Sequence, residues 1–310
     1  MRIAFQRALS RALTKDKNII FITGDLGYSA FEPLRDNFPG QYLNAGVAEQ
    51  NMIGVAAGMA LAGKTVFAYS IATFASMRAF EQVRNDVVYH NLPVRIVGVG
   101  GGFSYGHMGV THWALEDMAI MRALPNMAVV VPIDPLETEA VVDFAVRYRG
   151  PMYIRLGKAG EKNIFKKPPK FSLGKFSLFT NKGDVAIFGT GSLMQNAFAA
   201  AAILYKKGIN CRLIGASSVK PVDAALIKKI GAECRLIVSL EEHNVIGGLG
   251  SAIAEVLAEK GAYSTLMRLG APDVYPARIG SQDYLRDTYG LSPDKIALSI
   301  TRFLKKKRGS

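Results

Sequence analysis

The chain has 310 residues, 49% hydrophobic and 20% charged, which is enough for two domains with sizeable cores. No apolar run approaches the length of a membrane span, no Cys/His spacing suggests zinc, and Cys211 and Cys234 fall in apolar runs, as buried free thiols of a reducing cytoplasm do. The net charge of +13 is uneven: the first 160 residues carry 15 Lys/Arg against 13 Asp/Glu, and the excess gathers in 162–182 and 305–308, without the interleaved aromatics of a nucleic-acid groove.

In chain order, residues 3–14 read as an amphipathic helix rather than a signal peptide. Residues 18–23 are a buried strand ending in the turn Gly24-Asp25. Glu49 stands at the mouth of a helix whose continuation, 54–63, is almost all Ala, Gly and Met, the composition of a helix packed on all sides. By itself a carboxylate there is either a cap facing the helix dipole or a working acid/base. A strand over 64–69, a helix over 75–90 and a strand over 92–98 follow, the last running into the glycine-rich loop 98–109. A helix over 113–124, a strand over 127–131, a helix opened by Asp134-Pro135 and a strand over 151–156 complete the first half.

Residues 159–182, with Pro168, Pro169 and several lysines, read as a linker. The alternation then resumes, with strands over 185–189, 210–215, 235–240 and 264–269. Helices are expected over 192–207, 223–230 and 253–260, and a last one over 292–305. The pattern predicts an α/β chain of two consecutive parallel-sheet, three-layer domains, 1–158 and 183–310. Ligands of such sheets bind at the carboxyl ends of the strands, so the loops 24–31, 44–49, 70–74 and 98–112 are the ones to watch.

Several motifs can be set aside. In the loop 98–109, Phe103 stands where a dinucleotide fingerprint needs its third glycine, and no helix opens there. His112 follows the glycine loop, and an imidazole with an ordinary pKa near ~6.5 suits proton transfer. His107 lies on the same loop, while His90 closes a helix. Phe74 and Phe80 have helical spacing, and Arg78 between them needs a carboxylate or phosphate partner. Glu241, Glu242 and His243 are consecutive, so their side chains diverge. They suit a structural or interface role at a strand end better than a metal set.

Certain stretches form an ordered series: Gly24-Asp25-Leu26, Gly46-Val47-Ala48-Glu49-Gln50, Tyr69 through Ala72-Thr73-Phe74, Gly109-Val110-Thr111-His112, Lys220-Pro221-Val222-Asp223, and Glu241-Glu242-His243 with Gly247-Gly248-Leu249-Gly250. Together they resemble the C-terminal half of a transketolase-type enzyme, in the thiamine-diphosphate superfamily that also holds 1-deoxyxylulose-5-phosphate synthase. The resemblance implies a pyrimidine-binding fold followed by a transketolase C-terminal domain-like fold. It implies that Glu49 hydrogen-bonds the aminopyrimidine of thiamine diphosphate, that Phe74 stacks on that ring, and that Asp25 and Tyr69 lie beside it. His112 would face the substrate and assist proton transfer, with His107 nearby. Arg78, Lys158 and Arg155 fall at or beside positions that bind substrate phosphate, Lys158 as a point charge in place of an arginine fork.

Two departures carry consequences. Gly100 and Met108 stand where transketolases have a histidine and an aspartate, so the sugar need not be their usual pentose phosphate. The family's Gly-Asp-Gly diphosphate motif with its downstream Asn is missing, and Gly24-Asp25-Leu26 belongs to the pyrimidine side. The resemblance therefore implies a separate N-terminal subunit that holds the diphosphate and a divalent metal (Mg or Ca), in a heterotetramer with paired Glu49-bearing subunits. No metal is expected on this chain, and neither nucleic acid nor membrane is expected as a partner. The implied reaction is cytoplasmic transfer of a two-carbon ketol unit from a ketose or ketose phosphate to an aldehyde. A deoxyxylulose-phosphate-synthase-like subunit, a 2-oxoacid dehydrogenase beta-like subunit and a regulatory scaffold are the alternatives.

Overall fold

The apolar runs of the sequence assemble into two sheets in the computed structural model, which describes residues 1–259, 261 and 264–306. The first half runs α1 (Arg2–Lys15), β1 (Ile19–Thr23), α2 (Glu32–Asn37), β2 (Tyr42–Asn44), α3 (Glu49–Leu61), β3 (Thr65–Ile71), α4 (Phe80–Gln82), β4 (Val94–Val99), α5 (Asp117–Ala123), β5 (Ala128–Val130), α6 (Pro135–Ala145) and β6 (Met152–Leu156). The second runs β7 (Ser177–Thr180), β8 (Val185–Gly189), α7 (Met194–Tyr205), β9 (Cys211–Gly215), β10 (Ser218–Lys220), α8 (Ala224–Glu233), β11 (Leu236–Asn244), α9 (Leu249–Glu259), β12 (Thr265–Ala271), α10 (Gln282–Thr288) and α11 (Pro293–Lys306).

The first sheet has the order β10-β5-β6-β4-β3-β1-β2 and the second β12-β11-β8-β9-β7. Strands β1 to β6 pair in parallel. β1, β4, β6 and β8 are buried at every position, as strands covered by helices on both faces must be. This is the expected α/β architecture of two successive layered sheets. Among the described residues no helix is long and apolar enough to cross a membrane. Both cysteines are free, and burial pushes the Cys211 thiol up to about 12.

The structure corrects the local reading in several places. The stretch 159–182 is more than a connection, because β7 pairs antiparallel with β9 at the edge of the second sheet. Its start is also anchored: Asp134 Oδ1 caps α6 at Glu137 N (2.7 Å), and Oδ2 accepts from Ile164 N (2.7 Å) and Phe165 N (2.8 Å). Three residues of the second half, β10, cross over and pair antiparallel with β5, so one sheet draws on both halves of the chain. The helix expected over 113–124 begins only at Asp117. Ala114 instead bridges to Gly102, and Trp113 Nε1 donates to Gly106 O at 3.2 Å.

The helix expected over 75–90 contains two π-helical stretches, Phe74–Arg78 and Val83–Val88, flanking α4. α3 was expected to be covered all round. It buries Met52, Ile53, Ala56, Ala57 and Ala60, yet Leu61 is 67% exposed and Val47, just before it, 73% exposed. Composition gives the number of apolar residues on a helix but not which neighbours cover them. Lys260, at the expected end of the helix 253–260, and Lys307 and Arg308 of the basic tail lie outside the described residues.

Candidate active site

Parallel register brings the watched loops together. Thr23 lies opposite both Asn44 and Tyr69, and Ile71 opposite Val99, so β1, β2, β3 and β4 end at one edge. The loops after them converge there. Asp25 sits in the left-handed region (φ 57°), a conformation uncommon outside glycine. Its Oδ1 accepts from Asn44 Nδ2 (2.8 Å), while Asn44 Oδ1 accepts from the backbone N–H of Asp25 (3.1 Å) and of Gly46 (3.0 Å). Asp25 and Asn44 thus shape the turn that delivers Glu49.

Glu49 is the first residue of α3 and only 1% exposed. Its Oε1 accepts from Ser70 Oγ at 2.9 Å, and its Oε2 pairs with Arg78 Nη1 at 2.6 Å. The Arg78 guanidinium also lies 4.1 Å over the centroid of the Phe74 ring. Phe74 and Arg78 open and close one π-helical stretch, four residues apart, which puts the two side chains on one face. A buried carboxylate, a half-buried aromatic ring and a planar cation therefore form one stack. The Arg78 side chain is 44% exposed, so the cation is held from one side only. The backbone at Gly24 lines the same slot, since a Cβ there would stand 3.5 Å from Glu49 Oε1.

His112 meets the Phe74 ring edge-on, with centroids 5.1 Å apart, and its Nδ1 lies 2.9 Å from Thr111 Oγ1. Burial first, and then the positive charge of Arg78, push its pKa below the ordinary 6.5. At neutral pH this imidazole is neutral and can accept a proton. Thr73 Oγ1 donates to Thr111 O at 3.2 Å and ties the histidine loop to the end of β3. Tyr105 extends the group, 6.0 Å from His112 on one side, with Lys158 Nζ 4.7 Å over its ring on the other. His107 stands exposed on the single turn Gly106–Met108 of the same loop.

Of the residues singled out from sequence, Glu49, Phe74, Arg78 and His112 are brought into contact, Asp25 shapes the entry, and Lys158 reaches the edge. Tyr69 is not brought there. Side chains alternate along a strand, so Tyr69 and Ser70 point to opposite faces of β3. Tyr69 packs among Phe5, Phe21 and Phe31, with centroids 6.0, 6.0 and 4.6 Å away, and Ser70 reaches Glu49. Ser70 escaped the sequence reading, although period-two counting from the buried Tyr69 would have found it. Arg155 is likewise committed elsewhere. It is buried, bonding Asp117 through Nε (2.7 Å) and Nη2 (3.1 Å) and reaching Ala114 O at 2.6 Å.

The slot shows what it can hold. A guanidinium is a planar N–H donor, and here it stacks on Phe74 while bonding Glu49. A planar heteroaromatic ring with an N–H donor on its edge makes the same two contacts. Among the described residues no group of three His, Cys, Asp or Glu is placed to hold a metal ion.

Residues 1–160 match the pyrimidine binding domain of transketolase, and residues 174–296 match the transketolase C-terminal domain. The chain belongs to the transketolase family. Members of this family depend on thiamine diphosphate. The chain is 39% identical to a putative transketolase C-terminal section from Methanocaldococcus jannaschii, over 99% of this chain and 97% of that one. It is 34% identical to one of the subunits of an apulose-4-phosphate transketolase from Phocaeicola vulgatus, over 98% of this chain and 97% of the relative. The solved structure of a split-gene transketolase in an inactive β4 tetramer superposes with a TM-score of 0.87 at 36% identity, covering 96% of each chain. The chain is therefore similar throughout to separate transketolase subunits, not only to a segment of a longer enzyme.

Proposed function

We propose that this chain is the cofactor-activating subunit of a two-subunit, thiamine-diphosphate-dependent transketolase of the cytoplasm. It would pass a two-carbon ketol unit from a ketose, phosphorylated or not, to an aldehyde. The observation that carries this reading is the Glu49–Arg78–Phe74 stack, in which a planar N–H donor already lies between the acid and the ring. Glu49 and Phe74 would hold the pyrimidine half of the cofactor, which supplies a nucleophilic carbon and an electron sink. Glu49 would accept one hydrogen bond from the ring and so hold it in its reactive protonation state. His112, neutral at working pH, takes and returns the proton of a substrate hydroxyl. The ring would take the place that the Arg78 guanidinium holds between Glu49 and Phe74. Arg78, whose side chain is 44% exposed, and Lys158, over the Tyr105 ring, would meet an anionic group of the sugar.

The diphosphate and its Mg or Ca would be held by an N-terminal-type partner carrying the Gly-Asp-Gly motif. The uncovered apolar residues Val47 and Leu61 support pairing of two Glu49-bearing subunits, as in a heterotetramer. The solved split-gene relative supports the same division, because it is inactive as a tetramer of β subunits alone.

The test is to mix the chain with its candidate partner, thiamine diphosphate and Mg, and to offer a ketose phosphate or a 2-oxoacid as donor with an aldehyde acceptor. Ketol transfer from the ketose, in the mixture only, is expected. Turnover of the 2-oxoacid with none of the ketose contradicts the proposal. Arg78 also provides a pH test. Its charge helps hold the His112 pKa down, so Arg78→Met lets that pKa rise. Read by NMR titration of the chain without cofactor, the His112 pKa is expected to lie higher in the variant than in the wild type. An unmoved pKa would mean that the Arg78 charge does not act on His112.

A further inference from the structure

The loop that carries His107 and His112 leaves the first sheet after Val99, yet the second half of the chain sets its course. Glu242, buried on β11, accepts from the backbone N–H of Phe103 at 2.6 Å through Oε1. The same oxygen accepts from Gln282 Nε2 at 2.9 Å, and Oε2 accepts from Arg286 Nε at 2.7 Å. Arg286 is fixed in turn by Ser192 Oγ at 2.7 Å. Gln282 Nε2 also donates to Ser104 Oγ (3.2 Å), whose hydroxyl donates to Gly101 O (2.7 Å). Gly102, at φ 65°, allows the approach, because a Cβ there would lie 2.5 Å from Glu242 Cγ.

The grip continues to His112. The Phe103 ring stacks on Tyr289 at 5.5 Å and meets the edge of Trp113 at 5.8 Å. Trp113 is the residue after His112, and Trp113 Nε1 donates to Gly106 O. Gly102 and Ala114 bridge across the base of the loop. The start of the segment 102–114 is therefore held against α10 and β11, its end is bridged back to the start, and the two histidines stand on the part between.

We infer that Glu242, supported by Gln282 and Arg286, is a positioning residue for the transfer reaction: it acts through the Phe103 N–H and fixes the loop that sets His112 beside Phe74. Its catalytic consequence rests on the function proposed above, whereas its hold on the loop does not. A carboxylate with only hydrogen-bond donors around it is the group this site requires. In Glu242→Gln one acceptor oxygen becomes an NH2, which faces a donor wherever it is placed, so either the tie to the Phe103 N–H or the Arg286 support behind it is lost. Gln282→Leu is the milder companion, since it keeps the Glu242–Arg286 pair and removes the tie to Ser104.

Amide hydrogen exchange on the chain is expected to speed up by about tenfold across 101–113 in both variants, with β11 and β12 unchanged, as local opening without global unfolding requires. In the assembled enzyme, Glu242→Gln is expected to lower kcat by about a hundredfold, the cost of displacing a reacting group by about 1 Å. Thiamine diphosphate affinity should be unchanged. Adding His112→Ala to Glu242→Gln should cost no more than His112→Ala alone, because both act on one group. Unchanged loop exchange in both variants overturns the inference, as does acceleration throughout the second half, or a loss that multiplies with that of His112→Ala. If wild-type assemblies transfer no ketol unit, the functional proposal fails while the exchange measurement still decides the inference.

Discussion

Glu49→Gln is expected to leave the chain folded and the assembly intact while lowering kcat for ketol transfer by about 10² to 10⁴, the range that a positioned acid–base group supplies. The side chain is buried between Ser70 Oγ and the Arg78 guanidinium, its only charged partner among the described residues. Glutamine keeps the shape and can still accept from Ser70. It cannot carry the charge that makes the N–H of a planar ring a strong donor to it. Because Arg78 is partly exposed, losing its partner does not strand a buried cation, and the stability change should stay within about 1 kcal/mol. Undiminished turnover would remove Glu49 from the chemistry and leave it as a helix-end acid facing the dipole.

Asp117→Ala is expected to do the reverse, destabilising the isolated chain by about 3–5 kcal/mol, as removal of one partner from a buried ion pair does. Asp117 is fully buried at the start of α5, accepting from Arg155 Nε (2.7 Å) and from Tyr153 OH (2.6 Å). Arg155 also reaches the carbonyl of Glu242 at 3.0 Å, so the pair joins the two halves of the chain. Alanine leaves a guanidinium and a phenol without their acceptor where water does not reach them. Denaturant unfolding followed by fluorescence of Trp113, which lies close by in sequence, reads the change. A shift below about 1 kcal/mol, the value of an exposed pair, would mean that water relaxes into the site. Glu49 and Asp117 thus separate activity from stability, although both are buried carboxylates paired with arginine.

What the sequence disclosed, and what it hid, follows from the range of each interaction. β1, β4 and β8 are continuous apolar runs, so they are legible one by one. Glu49, Phe74 and His112 are legible through the order of motifs, and the structure places them together. The partners of the arginines were not legible. Arg155 meets Asp117 across 38 positions, and Arg78 meets Glu49 across 29, and neither spacing has a local signature. Tyr69, named from the motif series, packs on the face of β3 opposite Ser70, which meets Glu49. β10 is too short to show periodicity, and the role of Glu242 depends on Phe103, 139 positions away.

The central claim is that this chain holds half of a cofactor site and needs another subunit for the rest. Titrating thiamine diphosphate with Mg into the chain alone, the partner alone and their mixture, and reading binding calorimetrically, tests that claim most directly. Saturable binding in the mixture that greatly exceeds either chain alone is the expected result. Equally tight binding by this chain without the partner would contradict it.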